Sequence, residues 1–118
     1  MKSKLFTILI LVMLLALSAI AAKQPVKMPK IIKIGSDSCY PCRMMNPIMK
    51  ELAVEQEGKA VFMNLDIYKN RELASKYGVR VIPTIIFLDK HGKLKAKTEG
   101  FMSKEQILKM INKLELKK

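Results

Sequence analysis

Several residue types are scarce in this chain of 118 residues, which has no tryptophan, one histidine, two cysteines, and 10 acidic residues against 22 lysines and arginines. The histidine, His91, precedes Gly92 in a turn-like segment, which indicates a solvated loop residue rather than a metal ligand. The length allows one compact domain and excludes two, and no repeat or low-complexity segment interrupts it. The two cysteines are therefore the main candidates for a site.

The shortage of acidic residues leaves a formal charge of +12. A basic balance fits nucleic acid, an anionic membrane surface or acidic partners, because it sets the long-range electric field and not the fold. The lysines are scattered without interleaved aromatic residues, and no run exceeds two. This pattern predicts a solvated basic face near an anionic membrane, and no binding of nucleic acid. We also expect a monomer.

The first 22 residues differ in composition from the rest. Lys2 and Lys4 precede an apolar run at 5–17, and small residues continue to Ala22. This order is typical of a signal peptide, so residues 1–22 predict export to the periplasm or another extracytoplasmic space. An uncleaved membrane anchor is the alternative, because the apolar stretch reaches the lower limit for crossing a bilayer. Residues 23–29 predict an extended leader, ahead of a domain at 30–118.

Apolar periodicity predicts alternating strands and helices. The strands are expected at 30–34, 60–65, 84–88 and 93–98, and the helices from 38 or 39 to about 58, at 71–77 and from 103 onward. Pro47 predicts a kink in the first helix, Gly78 ends the second, and Ser103 with Gln106 forms a capping box for the third. The order β-α-β-α-β-β-α predicts an α/β fold whose first two strands are parallel and whose last two form an antiparallel hairpin.

The cysteines lie two residues apart, where the first strand gives way to the first helix. A disulfide across so short a loop restricts the unfolded chain very little, which favours a chemical role over a structural one. Pro41 suits the first turn of the helix. The helix N-terminus and Arg43 both favour a thiolate on Cys39, while Cys42 lies one turn inward. We therefore predict that Cys39 is the nucleophile and Cys42 the resolving thiol.

Three methionines, Met44, Met45 and Met49, follow the cysteines in the same helix. Their sulfur atoms could join the thiols around copper(I), a soft ion. Their helical spacing favours packing in the core instead. A copper(I)-binding chaperone remains open as an alternative of another class, as does a purely structural secreted domain.

Four segments between residue 30 and the end of the chain carry a resemblance to a known family. They are Cys39-Tyr40-Pro41-Cys42-Arg43, Pro47, Asn64-Leu65-Asp66 and Tyr77-Gly78-Val79-Arg80-Val81-Ile82-Pro83-Thr84, and the likeness extends through Gly92 and Gly100. With them the chain resembles the thioredoxin family. The resemblance implies a thioredoxin-like fold, a central mixed four-stranded sheet flanked by helices. The fold is shortened at the N-terminus, since the family's opening strand and helix have no counterpart here.

The same resemblance implies a protein-disulfide oxidoreductase that uses no metal and no cofactor other than its redox-active disulfide. It implies a cis Ile82-Pro83 bond that faces the cysteines. Pro41, Arg43 and Pro83 are expected to support the site. Tyr40, Ile82 and Gly100 are expected to contact substrate, which would pair along the backbone beside the proline.

This chain departs from the family pattern at positions that affect the mechanism and the direction of thiol-disulfide exchange. Ser38 replaces an aromatic residue, and Lys33 replaces a buried carboxylate that helps to deprotonate the resolving thiol, for which Asp37 is the candidate substitute. Pro41 before the second cysteine resembles the reducing members. We therefore expect a reductase of extracytoplasmic proteins, supplied by a membrane thiol carrier of the DsbD or CcdA type, with an oxidase or isomerase as the alternative.

Overall fold

The computed structural model describes residues 1–20, 27–114 and 116 of the chain. Helix α1 spans Lys2–Ile20, and its side chains are exposed as far as residue 16. Among the described residues, no helix has both the length and the apolar character that crossing a membrane requires. Most of the predicted leader at 23–29 lies outside the described residues. The signal peptide and its alternative, the anchor, stay predictions.

Seven further elements follow in the predicted order. They are β1 (Lys30–Gly35), α2 (Tyr40–Glu55), β2 (Val61–Asp66), α3 (Arg71–Lys76), β3 (Thr84–Leu88), β4 (Leu94–Glu99) and α4 (Lys104–Lys113). Most boundaries fall within one residue of the prediction. Helix α2 ends three residues early because the chain turns there, and the carbonyl of Gln56 accepts the N–H groups of Lys59 and Ala60.

The strands form one mixed sheet in the order β2-β1-β3-β4. Strand β1 runs parallel to β2 and antiparallel to β3, and β3 pairs antiparallel with β4. These pairings confirm the predicted four-stranded mixed sheet with a terminal hairpin. Strand β1 is central, and its C-terminal end at Gly35 leads directly to the cysteines.

Both faces of β1 are covered, because successive side chains of a strand point to opposite sides. Ile31 packs in a core with α2 and α4 residues, including Leu52 and Ile107. Ile32 and Ile34 pack on the other face, against α3. Lys33 has the parity of Ile31 and is therefore carried to the α2 side, where it is only 3% exposed.

Local signals in the sequence locate the end of α3 and the start of α4 correctly. Gly78 follows α3 with a φ of 61°, in the left-handed region that glycine adopts readily. Ser103 and Gln106 make both hydrogen bonds of the predicted capping box at the start of α4. Helix α2 continues through Pro47, and the kink expected there stays a prediction.

Candidate redox site

A short loop joins the end of β1 to the start of α2. The backbone N–H of Cys39 donates to the carbonyl of Ser36 at 3.2 Å, and the hydroxyls of Ser36 and Ser38 share a hydrogen bond of 2.7 Å. Of the two predicted capping residues, Cys39 is the N-cap of α2. Its Sγ accepts the backbone N–H of Cys42 at 3.3 Å. The helix N-terminus thus directs a hydrogen-bond donor at this sulfur.

Cys39 and Cys42 form a disulfide, with their Cα atoms 5.2 Å apart. Cys39 is partly exposed, whereas Cys42 is only 1% exposed. An incoming sulfur atom can therefore reach Cys39 and not Cys42. This difference in access suits the predicted roles of nucleophile and resolving thiol.

The Pro83 segment lies at the same end of the sheet as the cysteine loop. Thr84 of β3 pairs with Ile34 of β1. The residues just beyond them, Pro83 and Gly35, therefore lie side by side at one end of the sheet. The Ile82-Pro83 bond is cis, and the carbonyl of Pro83 accepts the backbone N–H of Gly100 at 2.8 Å. Gly100 therefore holds the Pro83 segment through its backbone.

Known proteins resemble this chain in sequence and in fold. The family model that matches residues 18–113 is that of thioredoxin. A thioredoxin from Staphylococcus aureus is 41% identical over 84 residues, covering 71% of this chain and 80% of the relative. One from Rickettsia bellii is 35% identical over 85 residues, covering 72% and 80%. The crystal structure of Deadhead, a germline-specific thioredoxin of Drosophila melanogaster, matches with a TM-score of 0.67 and 30% identity over 75% of this chain and 82% of that one.

The chain belongs to the thioredoxin family. It has the family's fold and is a thiol-disulfide oxidoreductase whose reaction runs through a cysteine disulfide, with protein disulfides as substrates. Thioredoxins need no cofactor beyond that disulfide.

Arg43 ties the loop to the first turn of α2. Its Nη1 donates to the backbone carbonyl of Asp37 at 2.9 Å, and its Cζ lies 5.7 Å from the centre of the Tyr40 ring. The Tyr40 side chain is 66% exposed, beside Cys39. The guanidinium therefore adds positive charge near the helix N-terminus, and an aromatic surface is open to an incoming protein.

Lys33, at the position where the resemblance implied a carboxylate, is a buried lysine. Lys33 Nζ donates to the backbone carbonyl of Cys42 at 3.0 Å and to Oδ1 of Asn46. Burial lowers the pKa of Lys33 below its usual 10.5, and the charge of Asp37 opposes that change. Sequence reasoning noted the missing carboxylate but did not predict these contacts. The alternation of strand β1, which puts Lys33 on the side of Ile31, could have indicated them.

Gly35 is a site residue that sequence reasoning missed. A Cβ at this position would stand 2.8 Å from Sγ and 3.0 Å from Cβ of Cys42. Only glycine lets the strand end approach the resolving cysteine so closely. The available signal was a glycine that ends a buried strand immediately before a reactive motif.

Asp37, the candidate substitute base, has an exposed side chain. It lines a cavity of about 220 Å³ together with Lys33, Asn46 and Asp66. Its described contacts are the backbone bond with Arg43 and the electrostatic interaction with Lys33. Neither involves a cysteine, so the base role of Asp37 remains a prediction.

The three methionines separate into two environments. Met45 and Met49 are 0% and 1% exposed and belong to the core on the α2 side of the sheet, as predicted. The prediction that Met44 packs in the core is wrong, because this side chain is 46% exposed. It precedes Met45 by one residue and therefore points about 100° away around the helix. His91 is exposed in its turn, as expected.

The lowered pKa of Lys33 predicts a characteristic pH dependence of stability. Between that pKa and 10.5, the unfolded chain binds more protons at this residue than the folded one, so its contribution to the unfolding free energy rises with pH. The slope is at most about 1.4 kcal/mol per pH unit for one proton. Denaturant unfolding of the oxidised protein at a series of increasing pH values measures this slope. Lys33→Met should remove the rise relative to wild type, and the control Lys50→Met should keep it. Equal slopes in all three proteins would refute the assignment.

Proposed function

We propose that this protein is an exported reductase of protein disulfides that acts in the periplasm or another extracytoplasmic space. The observation that carries the proposal is the arrangement of the pair, with an accessible Cys39 sulfur at the α2 N-terminus and a buried Cys42 behind it. Pro41, before the second cysteine, supports the reducing direction by its resemblance to reducing members. The composition of residues 1–22 supports export.

The reaction transfers two electrons from the dithiol to a client disulfide. The Cys39 thiolate attacks one client sulfur, and the client S–S bond breaks to give a mixed disulfide and a client thiolate, which takes a proton from water. Cys42 then loses its proton to water, and its thiolate attacks Sγ of Cys39. The second client sulfur leaves as a thiolate, which takes a proton from water. The products are a reduced client and the Cys39–Cys42 disulfide.

Backbone and side-chain groups beside the pair can hold an extended client segment. Within the described part of the chain, the backbone of Ile82 makes no hydrogen bond. Ile82 precedes Pro83, at the same end of the sheet as the cysteine loop. A client strand can pair with such a free backbone. The exposed side chains of Tyr40 and Val81 offer apolar contacts on either side.

A reductase outside the cytoplasm needs a source of electrons. A membrane thiol carrier of the DsbD or CcdA type fits this need, and the basic surface of the domain suits work close to an anionic membrane. We expect the domain to act as a monomer. The donor would reduce the Cys39–Cys42 disulfide after each turnover by the same exchange chemistry.

The reduction potential of the pair tests the direction of the reaction. Equilibration with dithiothreitol or glutathione buffers, followed by alkylation and mass spectrometry, gives the potential directly. A reductase should titrate near thioredoxin, at about −270 mV. A value near about −120 mV, typical of a strong oxidant, would reverse the proposed direction.

Export is tested separately, by the N-terminus of the protein recovered from fractionated cells. Mass spectrometry should find a chain that begins near residue 23 in the extracytoplasmic fraction. An intact N-terminus in the membrane fraction would show that residues 1–22 are an uncleaved membrane anchor and not a signal peptide. An intact N-terminus in the cytosolic fraction would contradict export.

A further inference from the structure

A buried lysine lies directly behind the resolving cysteine. Among the residues whose burial the structure describes, Lys33 has the only charged side chain that is buried. Its Nζ donates to two uncharged oxygens, the carbonyl of Cys42 and the side-chain amide of Asn46, and it makes no ion pair within the described residues. In the disulfide form, an ammonium here therefore lacks an anionic partner in contact with it.

The side chains of Lys33 and Cys42 converge on one point. The position of a Cβ on Gly35 lies 2.8 Å from Cys42 Sγ and 3.6 Å from Lys33 Cε, so glycine leaves no side chain between them. Both side chains are almost completely excluded from solvent. Charges in such surroundings interact more strongly than in bulk water, because less water screens them.

Three other charged groups line the cavity on which Lys33 borders. Asp37 from the loop, Lys50 from α2 and Asp66 from β2 line the cavity that Lys33 and Asn46 also line. Asp37 favours the ammonium and burial opposes it, with burial as the larger effect on the pKa of Lys33. A thiolate on Cys42 would also favour the charged form of Lys33, as Asp37 does. It would give the ammonium the anionic partner that it lacks in the disulfide form.

We propose that Lys33 is a positioning residue that stabilises the thiolate of Cys42 while the mixed disulfide is resolved. Cys42 loses its proton to water, and its thiolate sulfur attacks Cys39 Sγ. The bond between Cys39 and the client sulfur breaks, and the client sulfur leaves with the electron pair and takes a proton from water. Lys33 keeps its own proton throughout. The inference concerns the exchange step and does not depend on export or on the direction of the reaction.

The proposal predicts a selective effect on the second thiol. An opposite charge close by lowers a thiol pKa by about one unit or more. Below the pKa, one unit corresponds to about a tenfold change in the thiolate fraction. The nucleophilicity of a thiolate rises with its pKa and offsets part of this change. Removing the charge of Lys33 should therefore slow attack by Cys42 at least about threefold and leave attack by Cys39 nearly unchanged.

Stopped-flow reaction of the reduced protein with dithiobis-nitrobenzoate separates the two steps. The first thionitrobenzoate is released when Cys39 attacks the reagent, and the second when Cys42 resolves the mixed disulfide. For Lys33→Met, we expect a second phase at least about threefold slower at pH 7, and a midpoint of its pH profile about one unit higher. The first phase should stay within about twofold. Lys33→Arg, which keeps the charge, and the control Lys50→Met should keep the wild-type midpoint.

Three results would overturn the proposal. They are an unchanged pH midpoint in Lys33→Met, an equal slowing of both phases, and equal slowing by Lys33→Met and Lys33→Arg, which would assign the effect to packing and not to charge. Circular dichroism and thermal unfolding check that each variant is folded. If Lys33→Met unfolds, Lys33→Gln provides the uncharged variant, because its amide can still donate towards the same two oxygens.

Discussion

Replacing Cys42 by alanine is expected to leave Cys39 joined to client proteins in stable mixed disulfides. The first exchange needs only the accessible sulfur of Cys39, whereas release of the client needs the buried thiol behind it. Purification of Cys42→Ala under non-reducing conditions should therefore recover adducts that dithiothreitol releases. Cys39→Ser should lower disulfide reduction by at least about a thousandfold, as expected for loss of a nucleophile.

The double variant Cys39→Ser with Cys42→Ala is the control for this experiment. It keeps the surface of the site, including the exposed ring of Tyr40, and removes both sulfur atoms. Proteins recovered with Cys42→Ala and absent from the double variant are attached through Cys39. Equal recovery with both proteins would mean that no thiol exchange occurs at Cys39.

Gly35→Ala should destabilise the protein and disturb the resolving cysteine. The added Cβ would stand 2.8 Å from Sγ and 3.0 Å from Cβ of Cys42, so the strand end or the first turn of α2 must move. Overpacking of this kind costs about 1 to 3 kcal/mol. Denaturant unfolding of the oxidised protein should show this loss. The reaction of Cys42 with dithiobis-nitrobenzoate should change as well.

Gly92→Ala separates the steric effect from the general cost of replacing a glycine. Gly92 has a φ of 80°, and a Cβ there would meet nothing within 4 Å. Alanine should cost about 1 to 2 kcal/mol through the backbone alone and leave both thiol reactions unchanged. If Gly35→Ala also left Cys42 unaffected, the close approach at Gly35 would have no role in the redox site.

Local signals account for the features that the sequence predicted well. The β-branched run at 30–34, the left-handed glycine at 78 and the capping box at Ser103 each depend on a few neighbouring residues, and the structure has all three as expected. The cysteine pair at the start of a helix is also a local pattern. The order of these segments predicted an α/β fold with a parallel pair of strands and a hairpin. The resemblance to thioredoxins predicted the four-stranded mixed sheet.

Contacts between distant segments account for what the sequence did not predict. The bonds of Lys33 to the Cys42 carbonyl and to Asn46 depend on how α2 lies across β1, and so does the close approach at Gly35. The exposure of Met44 depends on the rotation of α2 about its axis. Spacing along the chain gives periodicity, but it does not fix which neighbouring position meets the sheet.

The environments of the sulfur atoms bear on the copper(I) alternative. Of the three methionines considered as ligands, which lie in the same helix as the pair, Met45 and Met49 pack among core residues such as Leu52. Only Met44 of these three is exposed. Copper(I) binding that survives competition with a chelator, in a protein that reduces no disulfide, would favour the chaperone over the oxidoreductase.

Reduction of insulin by dithiothreitol, with and without the protein, tests the central claim most directly. The account predicts that catalytic amounts of the wild-type protein accelerate precipitation of the insulin B chain, and that Cys39→Ser does not. Alkylation and mass measurement verify that Cys39 and Cys42 of the wild type are reduced under the same conditions. A wild-type rate equal to that of dithiothreitol alone, with both cysteines reduced, would contradict a role in reducing protein disulfides.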